Sequence, residues 1–465
     1  MIEVTRITIR NFKNLKDVTI KPKKFNVLIG PNGSGKTNFL EFFKLLRKIY
    51  VERNPYPFLE WDGYENVVWN HKRSLPIEFE IETVERITLT ELIDVKETDL
   101  HIEVFYRIFA SLWADRGENL KILKESVGVE IPKLKYRVLI ERNGEIWKVN
   151  LNDKEYKIGQ IECKDLHLEI SEWIKTFDLD TVAGFIDDVL LDIIKELPKN
   201  AIESFNQEIK ERLHGKGIST KKEIVNMLTF REIDIGVFKH MRKFLTIPES
   251  LKTIYQPLLA LFKMIVFFPL NIQEIKCKQK IIPKDDPLSE GGENVFDILV
   301  LIQLRENKLP KRIEYFVENY FNGKLYFKGI APGRLNLYLY DLNSKTEFSK
   351  EHLPDGLIKL LVILTALEQN PSILLIDEIE NSLHPELLEF IINVLREECE
   401  GCIFVTTHSP IVLNLVEPEE IFIFKPTDDG VEIKNLTEYK SKEEIMKELE
   451  ELGITLGEKV FYGLT

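Results

Sequence analysis

The chain has 465 residues, 44% of them hydrophobic, and a formal net charge of −13. That is apolar enough to bury the core of one large or two to three ordinary domains, which excludes a disordered chain. The negative balance argues against a protein coated in nucleic acid and leaves contact with phosphate backbones to local patches such as Lys21-Pro22-Lys23-Lys24 or Arg242-Lys243.

The longest apolar stretches, 357–367 and 258–270, are broken by Lys359 and by Lys263 and Pro269. Both fall short of the roughly 20 residues needed to cross a bilayer. The opening MIEVTRITIR alternates like a strand and lacks the apolar centre of a signal peptide. The expectation is a soluble, cytoplasmic protein with no membrane partner. Cys163, Cys277, Cys399 and Cys402 are too few for a disulfide framework at this length. The pair Cys399-Glu400-Gly401-Cys402 has no second pair or matching histidines for zinc, so it reads as two plain thiols at a helix–strand corner.

In chain order, Thr5, Ile7 and Ile9 alternate with charged neighbours, and Val18 and Ile20 follow a polar turn at Asn14, which predicts paired strands. Phe25-Asn26-Val27-Leu28-Ile29 reads as a buried strand. Beyond it, Phe39, Leu40, Phe43, Leu46 and Ile49 recur at helical spacing, with Glu41, Lys44, Arg47 and Lys48 assigned to the other faces. The stretches 75–83 and 133–151 alternate, the second broken by a hairpin signal at Arg142-Asn143-Gly144. Between them, 85–125 reads as mixed and largely helical. From 166 to 265 the pattern is helical without a sustained heptad, so a long coiled coil is not expected. After Pro269 strands and helices mix again, and 372–376 and 402–406 read as buried parallel strands.

Between the Phe25–Ile29 run and the helix after it lies GPNGSGKT, that is Gly30, Pro31, Asn32, Gly33, Ser34, Gly35, Lys36 and Thr37. Strand, glycine loop and helix start form an anion site, because backbone N–H groups and the positive helix end converge there. In this spacing the lysine reaches the terminal phosphates of a nucleoside triphosphate and the threonine hydroxyl sits on magnesium. Such a loop needs an acidic partner. Ile373-Leu374-Leu375-Ile376 ends in Asp377, placed to hold the metal, and Glu378, placed to deprotonate the attacking water. His408 follows the next apolar strand, at the carboxyl edge where ligands bind in open α/β sheets, and reads as a γ-phosphate contact.

Together GPNGSGKTN after ITIRNFKNLKDVTI, then SEGGENVFDIL, LPDGLIKLL, LLIDEIENSLHPE, FVTTHSP and the tail TLGEKVFYGLT resemble the ABC-type ATPase heads of the RecF and SMC group. The likeness is nearest to the OLD and abortive-infection-type ATPases that lack a Toprim domain, and it covers about 1–80 and 265–465. It implies an α/β fold: a P-loop ATPase head with N-terminal antiparallel strands and a mainly parallel core sheet, interrupted by an inserted helical domain. The implied division is 1–165 with the glycine loop, 166–265 as a helical arm for dimerisation or a partner, and 266–465 with the remaining motifs. The implied activity is an ATP- and Mg2+-dependent switch in DNA maintenance or anti-phage defence, working as a homodimer or higher homo-oligomer with DNA or an effector protein as onward partner.

Such heads sandwich two nucleotides, each between the glycine loop of one subunit and the signature of the other. The signature here is Pro354, Asp355 and Gly356 after Leu353. Pro354 replaces the usual serine and brings no hydroxyl, while the charge of Asp355 would repel phosphate unless it caps its own helix. The resemblance also puts Asn38 and Lys13 at the nucleotide, Gln160 at the metal, and 381–385 in the loop that crosses the interface. Two alternatives stand beside this reading. An OLD-like nuclease would need a Toprim domain on the order of 100 residues, longer than the stretch after His408. A transporter's nucleotide-binding subunit fits poorly with the large insert and the altered signature.

Overall fold

The computed structural model describes residues 2–52, 54–88, 101–132, 136–143, 146–151, 154–158, 264–267, 270–278, 280–331 and 334–461. The expected helical arm at 166–265 lies outside them but for Met264 and Ile265, which are strand and not helix, and Gln160 and Cys163 lie outside them too. Of the described residues, 2–5, 78–115 and 120–158 form one compact unit, and 6–77, 116–119 and 264–461 form another.

The first unit is a sheet. The start of β1 (Ile2–Phe12) is followed across it by β4 (Ile77–Thr88), β5 (His101–Ala114), β6 (Leu120–Ile131), β7 (Tyr136–Asn143), β8 (Ile146–Leu151) and β9 (Lys154–Ile158). From β5 onward each neighbouring pair is antiparallel. The hairpin signal at 142–144 is borne out by the β7–β8 pairing, which closes on Asn143 opposite Ile146. The helical reading of 85–125 is corrected: the described part is strand, apart from the turn at 115–119. Val104, Tyr106, Ile108, Ala110, Leu112 and Ala114 are buried at every second position, a period of 2 that only a strand can place on one face. Phe105, Phe109 and Trp113 occupy the alternate positions, and these aromatics hid the alternation.

In the second unit the rest of β1 pairs antiparallel with β2 (Leu15–Ile20), Ile9 opposite Val18. The central sheet runs in the order β10 (Met264–Phe267), β14 (Ile373–Ile376), β15 (Cys402–Thr406), β3 (Phe25–Ile29), β16 (Ile421–Thr427), β17 (Gly430–Asn435). All neighbours are parallel except β16 and β17, which form an antiparallel pair. A small antiparallel sheet of β11 (Gly323–Ala331), β12 (Arg334–Asp341) and β13 (Thr346–Ser349) completes the strands. The helices are α1 (Lys36–Tyr50), α2 (Ile272–Cys277), α3 (Val295–Glu306), α4 (Lys311–Phe321), α5 (Asp355–Glu368), α6 (Pro385–Glu398), α7 (Pro410–Asn414), α8 (Lys442–Leu452) and α9 (Leu456–Phe461). The expected head, antiparallel N-terminal strands beside a mainly parallel core sheet, is therefore present.

Every residue of β3, β14 and β15 is buried, as parallel strands covered on both faces require. Val27, Leu374 and Val405 join the core made with α3 to α6. On α1, Phe39 lies with its ring 5.2 Å from Phe404 of β15 and 6.0 Å from Phe424 of β16, both edge-on. Edge-to-face pairs add about 0.5–1.5 kcal/mol beyond their burial. The helix is more enclosed than its periodicity suggests. Phe42, Leu45 and Arg47 are buried as well, and Arg47 donates to the Leu288 carbonyl at 3.1 Å. The two C-x-x-C thiols, Cys399 just after α6 and Cys402 opening β15, are free and buried. Burial pushes the Cys399 thiol up, away from its reactive form.

Candidate functional site

The parallel order β14, β15, β3 brings three strand ends side by side at one edge of the sheet. Gly30 leaves β3, Asp377 leaves β14, and Thr407 and His408 leave β15. The sequence separates Gly30 from the other three by more than 300 positions; the register Leu374–Ile403 and Val405–Val27 puts them together.

The glycine loop needs its glycines. Gly30, Gly33 and Gly35 take φ of 150°, 76° and 100°. A Cβ on Gly30 would stand 2.4 Å from the Phe424 carbonyl oxygen, and one on Gly35 would stand 2.6 Å from the Asn14 side chain. Asn14 also accepts from Asn38 Nδ2 at 2.8 Å, so the turn between β1 and β2 braces the loop and the first turn of α1. Lys36 is buried, and its ammonium donates to the carbonyls of Gly30 at 2.8 Å and Pro31 at 3.1 Å. Burial lowers the pKa of this lysine, while Asp377, Glu378 and Glu380 pull the other way. The buried hydroxyl of Ser34 has no hydrogen-bond partner among the described residues, a site left for an acceptor or donor from outside the chain.

Thr37 Oγ1 donates to Asp377 Oδ2 at 3.3 Å, which joins the two residues expected at the metal. Thr406 binds the same carboxylate from the other side: its hydroxyl donates to Asp377 Oδ1 and accepts from the Glu378 backbone N–H at 2.8 Å. Burial pushes the Asp377 carboxyl up, the hydrogen bonds from Thr406 and Thr37 pull it down, and the charge of Glu378 adds to the rise. A carboxylate strained in this way gains from a cation, and a hydroxyl plus a carboxylate is an all-oxygen donor set that suits magnesium. The residues present fit a nucleoside triphosphate with its hard cation.

Glu378 sits in the left-handed region with φ 48°, a conformation that costs a non-glycine residue about 1–2 kcal/mol. Asn381 Nδ2 donates to its carboxylate. Lys359, buried on α5, donates to the carbonyls of Glu378 and Asn381, each at 2.9 Å. Its burial draws the lysine pKa down to about 8, against the pull of Glu380, Glu378 and Asp377. Glu380 accepts from Thr407 Oγ1 at 2.8 Å and from the His408 backbone N–H at 2.6 Å, which fixes the loop whose exposed tip is His408.

The structure therefore brings Gly30 to Asn38, Asp377, Glu378 and His408 to one sheet edge. Lys13, expected at the nucleotide, pairs with Glu41 and lies 5.5 Å from the Trp61 ring centre. In the signature, Pro354 precedes the first helical residue and Asp355 opens α5 without capping it; its charge is met by Lys276 Nζ at 2.6 Å. Of the two expected outcomes, capping is not seen, and the carboxylate is paired with a lysine instead. A Cβ on Gly356 would stand 2.7 Å from the Ser382 carbonyl oxygen, so the glycine lets the signature lie against the 381–385 loop. Sequence reading passed over Thr406, Lys359 and Glu380. The available signals were a hydroxyl ending an apolar strand and a lysine inside the apolar run of α5.

Two family profiles match the chain. One, described as "AAA ATPase domain", covers residues 2–243; the other, described as "AAA domain, putative AbiEii toxin, Type IV TA system", covers residues 228–414. A DNA replication and repair protein RecF of Nitrosococcus oceani is 51% identical over 47 residues, which is 10% of this chain and 13% of that protein. Among solved structures, the Smc head domain of Pyrococcus furiosus, crystallised with an extended coiled coil and bound to the C-terminal domain of ScpA, is 15% identical. It aligns over 97% of this chain and 100% of that one at a TM-score of 0.39. The SMC head domain of Thermotoga maritima is 12% identical over 93% and 98% at a TM-score of 0.35. With the first profile spanning the glycine loop and more than half of its residues, the chain belongs to the AAA ATPase domain family.

Proposed function

We propose that the protein binds ATP with Mg2+ at this sheet edge and hydrolyses it, and that the cycle works a homodimeric switch. The observation that carries the reading is the meeting of Thr37 with Asp377 at 3.3 Å beside a left-handed Glu378. Thr37 and Asp377 would hold the metal, which when bound neutralises charge on the phosphates. The ammonium of Lys36 exchanges its two loop carbonyls for phosphate oxygens, and the Ser34 hydroxyl gains a partner. Glu378 accepts the proton of the attacking water, and His408 lies at the same edge to contact the γ-phosphate. The RecF likeness supports a role in DNA maintenance, and the profile described as a putative AbiEii toxin of a Type IV TA system supports one in a toxin–antitoxin pair. Phosphate release tests the enzyme: the full chain should turn over ATP with Mg2+, stop in excess chelator, and lose calorimetric ATP binding as Lys36→Ala. Unchanged ATP affinity in that variant would remove the glycine loop from the assignment.

A further inference from the structure

Lys359 is the odd residue of α5. Every position from Gly356 to Leu367 is buried, and Lys359 is the one carrying a formal charge. Its Nζ reaches Glu378 O and Asn381 O, each at 2.9 Å, and so spans the turn that carries the Glu378 carboxylate. At the near end of that turn the Glu378 N–H is held by Thr406, and at the far end Asn381 Nδ2 returns to the Glu378 carboxylate. A left-handed non-glycine residue persists only where its surroundings over-determine it. Here the backbone on both sides of Glu378 is held by side chains from two other elements, β15 and α5.

We propose that Lys359 is a positioning residue for hydrolysis: from the signature helix it pins the turn that aims Glu378 at the attacking water. This rests on the function proposed above. Two carbonyls bound by one ammonium define the turn more tightly than one neutral donor would, since charge-assisted bonds are shorter and roughly twice as strong. It also makes the turn sensitive to movement of α5, because the same helix opens at Asp355 and Gly356. An apolar run that needed only to fill space would take leucine or methionine here and would avoid the cost of burying an amine.

The test uses the full chain carrying Lys359→Met, which keeps length and bulk and removes the donors, with Lys359→Gln as a second variant that keeps a shorter neutral donor. For Lys359→Met, the expected result is unchanged ATP affinity and stoichiometry by calorimetry and a kcat lower by on the order of 100-fold, the cost of misplacing a catalytic group by about 1 Å. Lys359→Gln should fall between it and wild type. In a Glu378→Gln background, Lys359→Met should change the residual rate little, because the group it positions is already gone. A kcat within twofold of wild type, or a full multiplicative loss on top of Glu378→Gln, overturns the proposal. So does failure of both variants to fold, which would make Lys359 structural. If instead the wild-type chain does not hydrolyse ATP, or Glu378→Gln hydrolyses at the wild-type rate, the proposed function falls and this inference with it. The two failures are therefore told apart by the wild-type chain and Glu378→Gln, neither of which changes Lys359.

Discussion

At the scale of single residues, the proposed function divides the site between groups that would touch phosphate or water and groups that hold them. Glu378 belongs to the first kind. The variant Glu378→Gln keeps the Lys36, Thr37 and Asp377 contacts, so ATP affinity should persist while phosphate release slows by about 100- to 10,000-fold; stopped-flow phosphate detection at saturating ATP checks this. Thr406 belongs to the second kind, with one hydroxyl serving Asp377 and the Glu378 backbone. The substitution Thr406→Val keeps the shape and leaves both groups short of a partner, which costs about 1–3 kcal/mol for the unmet bonds. The expected result is a lower denaturation midpoint together with a slower turnover. The sequence announced Lys36, Thr37, Asp377 and Glu378 because phosphate chemistry restricts residue types and spacing. It did not announce Thr406 or Glu380, because a hydroxyl or carboxylate that bonds backbone across the sheet follows no local spacing rule.

At the scale of elements, α1 is held to the sheet by aromatic rings more than by its amphipathic pattern. Phe39 meets Phe43 at 5.3 Å, Phe404 at 5.2 Å and Phe424 at 6.0 Å, and so ties the helix to two strands. The substitution Phe39→Ala should cost about 3–5 kcal/mol by equilibrium denaturation, the range for a fully buried aromatic. Because Phe39 is two residues from Thr37, the same variant should also weaken ATP binding, as calorimetry would read. Strands β3, β14 and β15 were legible as unbroken apolar runs of parallel-sheet length. Strand β5 was not: Val104, Tyr106, Ile108, Ala110, Leu112 and Ala114 mark its buried face, but Phe105, Phe109 and Trp113 between them blur the alternation. Local periodicity there does not separate strand from helix, and side-chain burial across the sheet decides the outcome.

At the scale of the whole chain, the central sheet draws its strands from both ends of the sequence, with β3 inserted between β15 and β16. A reading that takes the chain in consecutive blocks gives the motifs and misses this interleaving, because parallel neighbours carry no local mark of which strand lies beside which. The interleaving bears on assembly. Gly356 lies against the Ser382 carbonyl, and the Asp355 charge is held by Lys276, so the signature and the 381–385 loop lie against each other with the acidic residue compensated. A second copy that offers its glycine loop would meet the signature and the loop together, with the N–H groups of the α5 end directed at the nucleotide. In the proposed switch ATP would be part of that contact, and hydrolysis would remove it. The full-length Glu378→Gln variant, which holds ATP without cleaving it, should double its mass in light scattering when ATP and Mg2+ are added and return when they are dialysed away. Lys36→Ala, unable to bind the nucleotide, should keep its nucleotide-free mass at every ATP concentration. If Glu378→Gln binds ATP by calorimetry and its mass does not change, the sandwich is excluded for this chain, and the switch must act within a single copy or through a different partner.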